Sequence, residues 1–156
     1  MLTRIRTVAA VSLAVVSVAS CASSSVPLLV PTPTSQVASA CGSLMAQVPP
    51  RLFDQSPRAT TPRSTLTKAW GNPALTLRCG VDRPSTLRAT SDLVEISGTD
   101  WFAEEGASAT VLTARIPRGP GQIMWLELVV PARYGPAALV ATELVPAVNT
   151  ATTTAS

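Results

Sequence analysis

The stretch from Trp70 to Val81, W-G-N-P-A-L-T-L-R-C-G-V, constrains the fold more than any other. A Trp-Gly-Asn-Pro turn leads into strict alternation. Leu75, Leu77, Cys79 and Val81 fall on one side, and Thr76, Arg78 and Gly80 on the other. Period-two alternation behind a turn marks a half-buried β-strand. One inward position is a cysteine, so this strand can be tied covalently to another element. Arg78 on the outward side, with the indoles of Trp70 and Trp101, forms a candidate ligand site. An arginine beside an exposed aromatic would hold a carboxylate, a sugar or a peptide. The competing reading makes both indoles packing residues and pairs Arg78 with an acid such as Asp82 or Asp100. Aromatics make up only 4% of the chain, so a core has need of them.

The N-terminus says where the strand is folded. Met1 to Arg6 is positively charged, Val8 to Val18 is an unbroken Ala/Val/Leu/Ser run, and small residues follow. That order is a secretion signal over residues 1–20, and the run is shorter than the ~20 residues of a spanning helix. Val18-Ala19-Ser20-Cys21 fits a lipobox, in which small residues allow cleavage directly before a cysteine whose thiol carries diacylglycerol. Two or more acyl chains then anchor the protein to the extracytoplasmic face of the cell membrane. The alternative is an ordinary signal peptide with a cysteine nearby. Residues 21–35, rich in Ser, Thr and Pro, read as an extended tether.

Once Cys21 is lipidated, Cys41 and Cys79 remain, in an oxidising compartment. Val37, Cys41, Leu44, Met45 and Val48 recur at helical spacing from about Gln36 to Val48, with Ser35 placed to cap and Pro49-Pro50 to stop the helix. Cys41 thus faces inward from a helix and Cys79 inward from a strand. A bridge clamping helix to sheet is the economical pairing. A redox or metal role is its rival, in a chain with no Cys-x-x-Cys and no histidine.

Residues 51–68 are polar and rich in Pro, Arg and Thr. They read as a surface loop with a short helical turn near Lys68. Arg51, Arg58 and Arg63 stand there either as an anion site or as solvated charges. Further strands follow at 92–97, 108–116 and 122–130, separated by turn residues, and Gly98 to Glu105 adds a short one. Short turns between alternating segments favour an antiparallel meander. Pro136 opens a helix to about Val145, Pro146 ends or bends it, and 149–156 reads as a disordered tail. The expected fold is α+β, a single domain over 36–148. It has a four- to five-stranded, mainly antiparallel sheet, the N-terminal helix disulfide-clamped to one face and the C-terminal helix beside it.

Charge and missing residues narrow the function. Of 12 Lys+Arg, Arg4 and Arg6 lie in the signal, which leaves ten against nine acids and no basic footprint for nucleic acid. Without histidine, Ser-His, Cys-His and most zinc sites are excluded. Thr65-x-x-Lys68 is not Ser-x-x-Lys, and no Gly-x-Ser-x-Gly or phosphate-cradling glycine motif occurs. Asp100, Glu104, Glu105 and Glu95 are the carboxylates a hydrolase would need, and nothing in their spacing fixes a pair. The expectation is a non-catalytic envelope lipoprotein without cofactor or metal. Its partner would be a ligand, a cell-wall component or an envelope protein docked on the sheet.

A lone cysteine on a helix, W-G-N-P, L-R-C-G-V, then G-T-D-W and V-V-P-A-R-Y resemble the domain of unknown function 3515 family. Trp70-Gly71-x-Pro73 and Leu77-Arg78-Cys79-Gly80 are its most specific parts, and the likeness runs from about Ala40 to Val145. The resemblance implies an exported or membrane-tethered protein of high-GC Gram-positive bacteria, with its two cysteines at Cys41 and Cys79. The family carries no assigned activity.

Overall fold

Alternating apolar residues build one large sheet. The computed structural model describes residues 25–153, so the signal, the lipobox and Cys21 lie outside the described residues. In order the elements are Val26–Pro27 (β1), Ser35–Gln47 (α1), Pro57–Arg58 (β2), Thr60–Thr61 (β3), Thr67–Trp70 (β4) and Leu75–Cys79 (β5). Then come Val94–Ile96 (β6), Thr99–Glu105 (β7), Ala109–Pro117 (β8) and Ile123–Pro131 (β9). A 3-10 turn at Ala132–Tyr134 leads into Ala137–Thr142 (α2) and Val145–Thr153 (α3). The class is α+β, as the patterning requires. The main sheet runs β2-β4-β5-β9-β8-β7-β6 with every neighbour antiparallel, and β1 pairs in parallel with β3 as a small separate ladder.

Register sorts the two faces. Leu77 stands opposite Leu128, which stands opposite Leu112, and Cys79 is in line with Leu126 and Ala114. All six are buried on the helix-covered face. Onto this face α1 lays Cys41, Leu44 and Met45, and α3 packs beside α1. The Cys41–Cys79 disulfide joins helix to strand at a Cα–Cα distance of 5.5 Å, closing a separation of 38 residues.

The sheet has seven strands, against the four or five expected, because β2 and β4 arise from the polar segment read as a loop. They are short, and prolines interrupt the segment, so no alternation shows. The helical turn expected near Lys68 is β4, whose residues pair with β5 from Thr67↔Arg78 to Trp70↔Leu75. Thr34, not Ser35, caps α1, its hydroxyl accepting from the Val37 amide.

Both ends of the domain extend past the expected boundaries of 36 and 148. From Ser25 the segment read as a tether is part of the fold: Val26 N–H donates to Ala59 O at 2.8 Å and Leu28 N–H to Thr61 O at 3.0 Å. Pro146 does not end the last helix. It sits in the first turn of α3, where a missing N–H leaves no bond unmade. Residues 149–153 of the supposed disordered tail are helical, with Val148 and Ala151 buried. No helix among the described residues is long and apolar enough to cross a membrane.

Two connections lie on the face away from the helices. Because β5 is followed in the chain by β6 at the far edge, the intervening residues cross the sheet. Thr86 Oγ1 donates to Glu104 Oε1 at 2.6 Å on the way. The N-terminal segment crosses beside β5 and rounds its end at Gly80, whose φ is +83°; a Cβ there would sit 2.6 Å from Pro33.

Candidate functional site

The residues nominated from the sequence do not converge. Trp70 and Trp101 are each 1% exposed and stand on the helix-covered face. Trp70 Nε1–H donates to Pro50 O at 3.1 Å, whereas the buried Trp101 Nε1 has no acceptor among the described residues. Arg78 projects from the opposite face. Its partner is Glu127 on β9, directly across the ladder, rather than Asp82 or Asp100. Nε donates to Oε1 at 2.8 Å and Nη2 to Oε2 at 2.9 Å, a bidentate pair, and Nη1 donates to Leu29 O at 3.4 Å. Arg78 therefore holds the N-terminal segment onto the sheet.

The acids at the other end of the sheet serve local structure. Glu95 Oε1 accepts from the Gly98 amide at 2.8 Å, Glu104 from Thr86, and Glu105 Oε2 from Thr110 Oγ1 at 2.6 Å. Among the described residues no three His, Cys, Asp or Glu are grouped to hold a metal ion.

A different set does converge. At the β2–β4 margin a groove of about 360 Å³ is lined by Arg58, Arg63 and Lys68, and no carboxylate lines it among the described residues. Pro49, Pro50 and Trp70 form an apolar wall, and Thr60, Ser64 and Thr67 supply hydroxyls. Local folding places each part. Strand β4 carries Lys68 between the buried Thr67 and Ala69, and β2 pairs Arg58 with Ala69. Thr60 and Thr67 share a buried hydroxyl contact at 3.1 Å, which fixes the floor. Arg58 Nη1 donates to Gly71 O at 3.0 Å, holding that guanidinium at the rim.

Lys68 is the chain's only lysine, and its Nζ donates to Val48 O at 3.2 Å. Burial pushes its pKa below the ordinary lysine value, because an ammonium loses hydration there. An anion in the groove would return the lost solvation, and two guanidinium forks beside an ammonium suit a phosphate or carboxylate.

Of the three arginines read as a possible anion site, Arg58 and Arg63 reach this groove. Arg51 instead holds the 52–55 turn through Asp54 O and Ser56 Oγ. Lys68 was the missed member. The charge of the segment would have found it: Arg51, Arg58, Arg63, Lys68 and Arg78 occur between residues 22 and 81 against Asp54 alone.

The two stretches that carry the family resemblance meet. Tyr134 O–H donates to Pro73 O at 2.8 Å and Arg133 Nη1 to Asn72 O at 2.6 Å. A Cβ on Gly71, whose φ is +68°, would lie 2.5 Å from the Tyr134 hydroxyl. The P-A-R-Y end of β9 thus locks the W-G-N-P turn that forms one end of the groove strand. No curated protein and no solved structure matches the chain. A family model described as "Protein of unknown function (DUF3515)" matches residues 3–155, and the chain belongs to that family.

Proposed function

We propose that this is a non-catalytic lipoprotein of the cell envelope, anchored through Cys21 on the extracytoplasmic face of the membrane. It binds an anionic group of an envelope component in the Arg58–Arg63–Lys68 groove. The observation that carries the reading is the groove itself, which gathers cationic side chains, hydroxyls and an apolar wall without a lining acid among the described residues. Such a site suits the phosphate or carboxylate of a wall or lipid component.

Calorimetric titration of the protein with a short poly(glycerol phosphate) tests it. Arg63→Ala and Lys68→Met should each weaken binding about tenfold, the loss of one charged hydrogen bond at 1.4 kcal/mol per decade. Affinities equal to wild type in both variants would overturn the site. Acylation gives a second readout. The lowered pKa of Lys68 leaves more of its amine neutral and reactive at mildly alkaline pH, and an anion bound beside it should slow that reaction. For the anchor, Cys21→Ala should release the protein from membranes, and retention would make the signal an uncleaved span instead.

A second reading has its own observation. Leu93, Val94 and Leu139 are exposed, and β6, which Leu93 and Val94 adjoin or form, is an edge strand with α2 packed beside it. A protein partner adding to that edge would cover them.

A further inference from the structure

We propose that the folded domain lies on the bilayer that holds its anchor, with the β1–β3 margin towards anionic lipid headgroups and Leu29 in the interface. The inference rests on the Cys21 anchor proposed above and adds an orientation and a partner surface to it.

Reach is the first argument. Three residues lie between Cys21 and Ser25, so four Cα–Cα steps at ~3.6 Å give a fully extended reach of about 14 Å. That is no more than the radius of gyration, ~14 Å, expected for about 130 folded residues. No slack follows. Ser25 Oγ accepts from Thr61 Oγ1 at 2.5 Å, Val26 and Leu28 are hydrogen-bonded to Ala59 and Thr61, and the Val26 side chain is buried. Lengthening the leash would mean tearing β1 from β3. The margin where the chain enters the fold is therefore held at the membrane surface.

Charge is the second. Residues 22–81 carry five cations and Asp54, whereas residues 82–156 carry Arg83, Arg88, Arg115, Arg118 and Arg133 against the other eight acids. The fold turns this sequence asymmetry into a spatial one. The first half supplies the β2-β4-β5 side beside the anchor, and Glu95, Asp100, Glu104 and Glu105 mark the far β6–β7 margin. The positive pole thus faces the leaflet and the negative pole faces away. Attraction to anionic lipid fades over a Debye length of ~8 Å, and the short leash keeps the entry margin within about two such lengths of the surface.

Leu29 is the third. It is 81% exposed, the most exposed large apolar side chain among the described residues, and it lies two residues past the end of β1. Arg78 holds its carbonyl, so the side chain is presented from a fixed backbone.

The test uses the full, lipid-modified chain purified from membranes and placed in vesicles of phosphatidylglycerol with phosphatidylcholine, or of phosphatidylcholine alone. Leu29→Cys and, on the opposite side of the sheet, Leu139→Cys each carry a polarity-sensitive nitrobenzoxadiazole label; the disulfide and the acyl group protect the native cysteines. The mass of the N-terminal peptide reports acylation of Cys21. With Cys21 acylated, the label at 29 should brighten several-fold and shift to the blue with phosphatidylglycerol, and the label at 139 should stay aqueous. Acylated protein whose label at 29 is aqueous, or whose two labels respond alike, overturns the orientation and leaves the anchor standing. An unmodified Cys21 overturns the anchor and this orientation with it.

Discussion

Trp70 and Trp101 show how much one hydrogen bond decides when burial is equal. Each is 1% exposed, and each indole contributes a large apolar surface to the same face of the sheet. Trp70 satisfies its N–H on Pro50 O, while the Trp101 N–H is buried with no acceptor among the described residues. An unmet buried donor costs about 1–3 kcal/mol, and a made bond contributes about 1 kcal/mol. Trp70→Phe and Trp101→Phe remove the same ring area, so the cavity cost is common to both. Trp101→Phe should therefore be the milder change by about 1 kcal/mol or more in urea-denaturation midpoints. Equal losses would mean that the Trp101 N–H is satisfied in solution. Nothing in the sequence separates the two residues. Both read as packing aromatics or ligand-facing ones, because the acceptor for Trp70 lies 20 positions back in the chain, just past the end of α1.

Among the elements, the long alternating or helical runs were legible and the short ones were not. α1 and β5 to β9 each repeat an apolar residue at a single period for long enough, or lie between clear turn residues, and all appear in the structure. β2 and β3 are two residues each and gain their order from neighbours, β4 and β1. α3 was hidden because a proline stops a helix in its interior and is tolerated in its first turn, and residue 146 alone does not say which. The covalent element was the most legible, since both cysteines lie on inward faces of well-marked periodic segments. Opening the Cys41–Cys79 link should lower stability by up to about 4 kcal/mol, the chain-entropy value for the separation of 38 residues. Thermal melts of Cys79→Ser, or of the wild type with and without reductant, measure it. Coincident melting curves would show that packing alone holds α1 to the sheet.

For the whole molecule the decisive difference is where the domain begins. Composition made residues 21–35 a spacer, since a Ser/Thr/Pro-rich stretch with few charges reads as an extended tether. What composition does not display is an unpaired edge elsewhere in the chain. β3 offers one, and Val26–Pro27 completes it. The segment then runs past Arg78, closes on Gly80 through Pro33, and caps α1 with Thr34. It thus completes the β1–β3 ladder, crosses the outer face of the main sheet and reaches the start of α1. Removing it takes away the burial of Val26, two β1–β3 backbone hydrogen bonds and the cap of α1, so the net effect is a loss of folded-state contacts set against the ordering entropy of the segment. A protein beginning at Ser35 should accordingly be less stable than one beginning at Ala22, by about 1–3 kcal/mol in urea. Its Arg78–Glu127 pair should also become open to solvent, because Leu29 and its neighbours no longer cover it. If the two proteins unfold at the same urea concentration, the segment is a spacer after all, the leash is some ten residues longer, and the domain is free to stand away from the membrane.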